Sequence, residues 1–452
     1  MRLPAVLFTA LVAATSLRAE APPLQGTLPE DYLPGLKPLL QTAVERSPNT
    51  ISAGISILQQ EAASYSDSAA LYPNLSANGA YSVRTESETN SASSTSRGFT
   101  YGLNASQPIF RWGALRNQAM VGNLGVKIAE RQFAEAYRQL AIMIREQYML
   151  LIEKKIQLRN ENFKVKIAEE ALQAQKVRFQ SGASSEAEIQ TFQLELDGAT
   201  LTRDRAAEDL AYFKRQFMHL IGVEDLDDRS IPVDIPHPEY SSDLADAVLS
   251  GFVGNGIEST FQSQVYEMQV KQQDRQYAIA KVRLLPTVDF GANYSYSIYT
   301  AAGSGTVSQV GLSSLSYGLN GNWSIFDGFA TRGAKLNALE AKRAVERQMK
   351  NYVDATIDLV NDMRHQLGFS ARAQGLAEIH FILIDSQVKR LSEDRSLGFA
   401  SQATIDTGTL NLYATEFDQA VARSEYLGQW TEFISLAGLD PAIDNVPSSY
   451  VR

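Results

Sequence analysis

The chain has 452 residues, no cysteine and a formal net charge of −10. The length leaves room for two or three ordinary domains. The missing cysteine excludes disulfides and a lipid on an N-terminal cysteine, and the acidic balance argues against a nucleic-acid partner.

The chain opens MRLPAVLFTALVAATSLRAEA, with basic Arg2, an apolar stretch from Leu3 to Leu17, and then small residues. This is the form of a secretory signal peptide over residues 1–19, cleaved near Ala19 or Ala21. No other stretch reaches the ~18 apolar residues of a spanning helix, so the exported chain is expected to be soluble or to cross a membrane as a β-barrel.

After an N-terminal segment, 20–36, one unit is expected twice, over 37–222 and 244–438. YGLNASQPIFRWGALR at 101–116 returns as YGLNGNWSIFDGFATR at 317–332, and 317 − 101 = 216. Gly182 and Gly398, Phe217 and Phe433, and Gly222 and Gly438 keep the same offset. Between the copies, 223–243 holds seven acidic residues and three prolines and reads as a linker; 439–452 is a tail.

Within the first copy a helix is predicted over about 44–71, followed by an alternating pair of strands. Leu75, Ala77, Gly79, Tyr81 and Val83 share one face, and Phe99, Tyr101, Leu103 and Ala105 continue the pattern beyond a Ser/Thr/Asn-rich loop at 85–97. The second copy repeats it with Val288, Phe290, Ala292, Tyr294 and Tyr296, then Leu315, Tyr317, Leu319 and Trp323. Strands of ~10 residues match a bilayer crossing, and tyrosine and tryptophan on the apolar face are typical of barrel girdles. Tyr81, Phe99, Tyr101, Phe290, Tyr294, Tyr317 and Trp323 are therefore expected to face lipid. Four strands cannot close in lipid without bare edges, whereas three copies would supply twelve.

A proline-free helical pattern runs from Trp112 to Phe179, and a shorter one from Ser184 to Ile221. Tyr137, Ile144, Leu151, Leu158, Val165 and Leu172 recur every seventh residue, and Ile142, Met149, Ile156 and Phe163 form a second stripe. Two separated stripes imply neighbours on both sides, as in the wall of a cylinder, and the seven-residue period implies left-handed coiling. In the second copy the second stripe gives way to Asp358, His365 and Arg372. Gly182 and Gly398 fall where a helix reverses and suit a left-handed cap.

No enzymatic constellation is present. His219, His237, His365 and His380 form no HExxH pattern, and neither GxxxxGK nor GxSxG occurs. No catalysis, metal or cofactor is expected. At this level the chain is an exported protein whose strands complete a barrel shared between copies or, alternatively, a periplasmic coiled-coil adaptor or interaction protein.

Three motifs then carry a resemblance: the LYP and LLP helix-to-strand junctions, SQPIFRWG with WSIFDGFA at the strand-to-helix junctions, and VRFQSGASSEAEI at a helix turn. In this order and in duplicate, over about residues 37–440, the sequence resembles the TolC-like outer-membrane efflux and secretion proteins. The resemblance implies a mainly α chain with a transmembrane β part, a homotrimer with a shared 12-stranded barrel in outer-membrane lipid, and a long α-helical coiled-coil tunnel in the periplasm. It implies a passive conduit for an efflux pump or type I secretion system, docked to a periplasmic adaptor (membrane fusion protein) and an inner-membrane transporter. Gly182, Ala183, Gly398 and Phe399 would then be the docking tips. Glu188, Glu393, Asp394, Arg395 and Asp406 would surround a periplasmic gate, with Arg395 placed to pair with Glu188. Relatives carry an acidic residue six positions beyond each tip glycine; Glu188 fits, and Thr404 does not.

Overall fold

The computed structural model describes residues 27–86, 94–303 and 306–451, so the expected signal peptide lies outside the described residues. In the first half, α1 (Pro29–Tyr32), α2 (Leu36–Arg46) and α3 (Pro48–Ala69) precede β1 (Asn74–Glu86) and β2 (Ser94–Phe110), then α4 (Ala114–Gln180) and α5 (Glu186–Ile221). The second half runs α6 (Ser242–Gly251), α7 (Phe261–Lys281), β3 (Thr287–Gly303), β4 (Thr306–Asn322), α8 (Ala330–Ser396), α9 (Gln402–Leu436) and α10 (Ser448–Val451). Both long helices have 67 residues. The strands, at 13 to 17 residues, exceed the ten expected, because pairing continues beyond a bilayer's thickness toward the hairpin turns. The single helix expected over 44–71 is instead broken at Ser47, whose extended backbone and side-chain bond to the Asn49 N–H start α3 with Pro48 as its first residue.

The strands form one antiparallel sheet in the order β1-β2-β3-β4, so the β2–β3 pairing joins the two halves. Beside the sheet, α3 packs on α4, α4 on α7, and α7 on α8. Farther from it, α5 packs on α4, α4 on α9, and α9 on α8. Every layer thus ends at the same two edges: β1, α3 and α5 on one side, β4 and α8 on the other.

The core sits midway along α4. Tyr137, Ile144, Leu151 and Ile152 pack with Leu36, Trp430 and Phe433. Ile231 and Ile235 of the 223–243 segment are buried there too. Lys155 donates to the Asp228 and Ile231 carbonyls at 2.7 and 2.5 Å, and Arg423 to that of Ile235 at 2.5 Å. The segment therefore crosses from the first hairpin to the second as a bound strap. Its isoleucines supply the apolar anchor that its acidic composition hides.

At the centre of this core Arg145 is fully buried. Its guanidinium makes paired bonds to Glu30 at 2.8 and 2.6 Å and to Asp440 at 2.6 and 2.7 Å. The two ends of the chain are thereby clamped to one turn of α4. Burial alone would push the Asp440 carboxyl up, but the bonds and charge of Arg145, with Ser435 and the Ala442 N–H, outweigh it and hold the group below its ordinary range.

The repeat extends to backbone conformation. Gly222 and Gly438 end α5 and α9 with φ of 75° and 71°. Their surroundings differ, since a Cβ on Gly222 would lie 1.9 Å from the Arg46 carbonyl oxygen, whereas Gly438 has nothing within 4 Å. Gly438→Ala should therefore cost only the ~1 kcal/mol of left-handed strain, and Gly222→Ala should cost several-fold more. Thermal unfolding of the two variants compares them; equal losses would mean that the α2–α5 contact yields easily.

Candidate channel wall and tips

The register aligns the apolar positions of all four strands. Tyr81 lies opposite Phe99, and Phe99 opposite Ile298; Leu103 lies opposite Tyr294, and Tyr294 opposite Leu315. Tyr101 faces Tyr296 with ring centroids 5.2 Å apart. Phe290 joins the same face opposite Leu319, and Tyr317 opposite Ala292 is 76% exposed. The other face is polar: Asn104 donates to Asn78 at 3.0 Å and accepts from Asn293, and the Thr100 and Ser297 hydroxyls lie 3.0 Å apart. An amphipathic sheet of this length separates a lipid side from a wet side.

Trp323 lies one residue past β4, and its indole donates to the Leu284 carbonyl at 3.1 Å. Trp112 does the equivalent at the other junction, donating to the Pro286 carbonyl at 2.6 Å. The strand-to-helix turns use two consecutive left-handed residues in each half, Trp112–Gly113 (φ 52° and 81°) and Gly328–Phe329 (φ 62° and 69°). The copies share this backbone but place the glycine on opposite members of the pair. On the polar side Arg111 binds Asp289 through two bonds of 2.7 and 2.9 Å.

At the far end both helical hairpins turn through left-handed glycines, Gly182 at φ 76° and Gly398 at φ 83°. The Ala183 N–H returns to the Arg178 carbonyl at 2.9 Å, and the Phe399 N–H to that of Asp394 at 2.8 Å, the six-to-one bond of a Schellman turn. Ala183 is exposed, and Phe399 is 82% exposed. Among the gate candidates, Glu188 caps its own helix: it accepts from Ser184 Oγ at 2.6 Å and the Ser185 N–H at 3.0 Å, which holds its carboxyl below its ordinary range. It also accepts from Gln175 rather than pairing with Arg395 of the same chain. Thr404, at the matching position, has its hydroxyl 2.8 Å from that of Ser401, which caps α9 by accepting from the Thr404 N–H at 3.2 Å without the reciprocal bond that Glu188 makes. Glu393, Asp394 and Arg395 are exposed in the last turn of α8, and Asp406 accepts from Gln402 at 2.6 Å.

Higher up, α4, α8 and α9 enclose a groove of about 610 Å³ that holds Glu146, Glu153, Glu425 and Glu432 beside Met149 and Phe369. Burial, then Glu432, pushes the Glu146 carboxyl up; burial does the same to Glu153, with Glu425 adding and Ser424 and Lys154 opposing. A raised pKa in the folded state means that folding takes up a proton, so stability falls as pH rises from about 4.5 through the raised value. Glu146→Gln should raise the unfolding temperature near neutral pH and flatten that slope. An unchanged profile would place the titration elsewhere.

One feature escaped the sequence reading. Along α8, Phe369, Leu376, Ile379 and Leu383 are all exposed, on the side opposite buried Leu367. Their spacing of seven, three and four is a coiled-coil seam. In the sequence this row runs beside the polar positions Asp358, His365 and Arg372, which interrupt the apolar pattern.

Residues 39–222 match the outer membrane efflux protein family. Among solved structures, the Campylobacter jejuni CmeC outer membrane channel is similar at a TM-score of 0.70 and 15% identity, over 100% of this chain and 97% of that one. The Vibrio cholerae outer membrane protein VceC is similar at 0.64 and 14%, over 91% and 98%. The open-state Neisseria gonorrhoeae MtrE outer membrane channel is similar at 0.62 and 15%, over 90% and 89%. No curated protein matches the chain at the sequence level. The fold is that of the TolC-like outer-membrane channels. The family match falls on the first of the two repeats.

Proposed function

We propose that three copies close into a passive exit channel whose four-strand sheets combine into one barrel and whose helices form a continuous periplasmic tunnel. The observation that carries this is the shared pair of open edges in the sheet and in both helical layers. On the helical side the α3 edge is apolar, with Ile51, Ile55, Leu58 and Tyr65 exposed, and in the sheet β1 and β4 each offer a row of backbone groups that, among the described residues, pair with no strand of the same chain. Unlike edges that meet head to tail close into a ring, and three sheets of four strands give a barrel wide enough for a lumen.

In this reading the chain serves an efflux pump or type I secretion system and performs no catalysis itself. The tips at Gly182–Ala183 and Gly398–Phe399 meet a periplasmic adaptor that links the channel to an inner-membrane transporter. Asp394 and Asp406, repeated three times around the axis, favour cations at the entrance. The test is mass in mild detergent together with conductance in planar bilayers. A trimer with cation-preferring pores, less selective after Asp394→Ala with Asp406→Ala, is expected; a monomer that still conducts would overturn the reading.

A further inference from the structure

We propose that the lower tunnel closes through a coiled-coil seam between α8 of one copy and α5 of the next, with its register fixed by an ion pair between Arg372 and Glu208. The inference rests on the ring proposed above and adds which helices and residues meet. In the layer away from the membrane, α5 and α8 are the outermost helices of each chain. Each presents its unpartnered side to the neighbour across the gap.

On α8 that side carries Leu376, Ile379 and Leu383, all exposed, with Arg372 in the same seven-residue row as Ile379 and beside a groove holding Tyr240 and Arg364, and with exposed Phe369 at the border, where it also lines the groove toward α4 and α9. On α5, Ala206 and Phe217 are buried against the rest of the chain, whereas Leu194, Leu201 and Tyr212 are exposed large apolar groups. Their spacing of seven and eleven again marks one face of a heptad. Glu208, four residues before Tyr212, shares that face and is exposed. Two seams of the same chain therefore lack partners on complementary edges.

Height selects the pairs. Rotation about a symmetry axis does not change height, so residues that meet across copies stand equally far from the tips. Glu208 lies 208 − 186 = 22 residues above the start of α5, and Arg372 lies 396 − 372 = 24 residues above the end of α8. At 1.5 Å per residue these are ~33 and ~36 Å, within one turn of each other. By the same count Tyr212 and Phe369 stand 26 and 27 residues up, and Leu201 stands at 15 between Leu383 at 13 and Ile379 at 17. Apolar groups thus meet apolar groups, an aromatic ring meets an aromatic ring, and Glu208 stands level with Arg372; exposed Asp197 and Arg205 share the α5 face closer to the tip. Among the described residues, neither Glu208 nor Arg372 has an ion pair within its own chain.

The seam also explains Arg372 at a position where the first half carries apolar Ile156, buried in the core. The two halves face different neighbours, and a polar pair within an apolar seam is a known way to fix partner and register.

The absence of cysteine makes the test clean. Glu208→Cys with Arg372→Cys, oxidised in outer-membrane vesicles, is expected to give covalent dimers and trimers on a non-reducing denaturing gel; each single variant should stay monomeric. Tyr212→Cys with Phe369→Cys is the second pair, in case the first folds poorly. Unmodified trimer without cross-linking of either pair would overturn the seam while leaving the ring intact. A disulfide formed within one chain would also overturn it. A wild-type chain that is not a trimer would instead overturn the ring. Charge reversal gives the energetic counterpart: Arg372→Glu and Glu208→Arg should each lower the temperature of trimer dissociation, and the combination should recover most of the loss.

Discussion

Methionine in place of Arg145 is expected to destabilise the folded chain by about 3–5 kcal/mol, among the largest effects of any single change here. Glu30 and Asp440 would be left as carboxylates beside an apolar side chain, and Asp440 has no solvent access. The cost comes from that uncompensated charge more than from the bonds lost. Neutralising all three, Arg145→Met with Glu30→Gln and Asp440→Asn, should therefore recover part of the stability. Chemical unfolding of the detergent-solubilised protein measures both. A loss of under about 1 kcal/mol for the single change would show that water reaches the site when the guanidinium leaves. Because Glu30 and Asp440 both bind this one guanidinium, proteolysis near α1 and in the tail beyond α9 should also quicken in the variant.

Arginine at Tyr101 is expected to cost about 2–4 kcal/mol if the residue sits near the bilayer midplane, where β2 has its centre. Arginine at Ser82, on the polar face of the adjoining strand, should stay within about 0.5 kcal/mol. Ser82 is opposite Gly98, three residues and so ~10 Å along β2 from Tyr101, within the same ~30 Å hydrocarbon layer. Folding into lipid vesicles followed by urea titration separates them. Equal losses on the two faces would remove the case that the sheet spans a membrane.

Much of this architecture is legible in the sequence because its signals are periodic. Alternation at Leu75–Val83 and Phe99–Ala105 continues as one apolar face across paired strands. The seven-residue recurrence from Tyr137 to Leu172 became a single helix, and the 216-residue offset reappears in the left-handed pairs Gly182/Gly398 and Gly222/Gly438. What the sequence hides is contact between residues far apart in the chain. Glu30 and Asp440 lie 115 and 295 residues from Arg145, and nothing local to any of the three reveals the others. Arg145 stands in the polar stretch Arg145–Gln147 between Ile144 and Tyr148, so its burial leaves no local mark either. Trp112 was hidden for another reason: a left-handed tryptophan goes against local preference, and only Gly328 in the second copy betrays the backbone that both share. The tips lie between these extremes. Their glycines are plain, whereas the capping bond of Glu188 is one the sequence leaves unseparated from a place at the gate, since both put a glutamate at the same kind of position.

The equality of the two long helices limits how such a chain can change in length. Both begin at matching junctions with the sheet, both end at matching tips, and each spans 67 residues. One residue inserted in either would lift its tip by ~1.5 Å and turn it by ~100°, throwing it out of phase with its counterpart. Because α5 and α9 return along the same path, they would need the same insertion, or every level below it would be mismatched. A seven-residue block comes close to two whole turns and nearly restores the phase. The tunnel can therefore lengthen or shorten only in such blocks, made at all four helices together, and single-residue insertions and deletions belong at the strand turns and the strap.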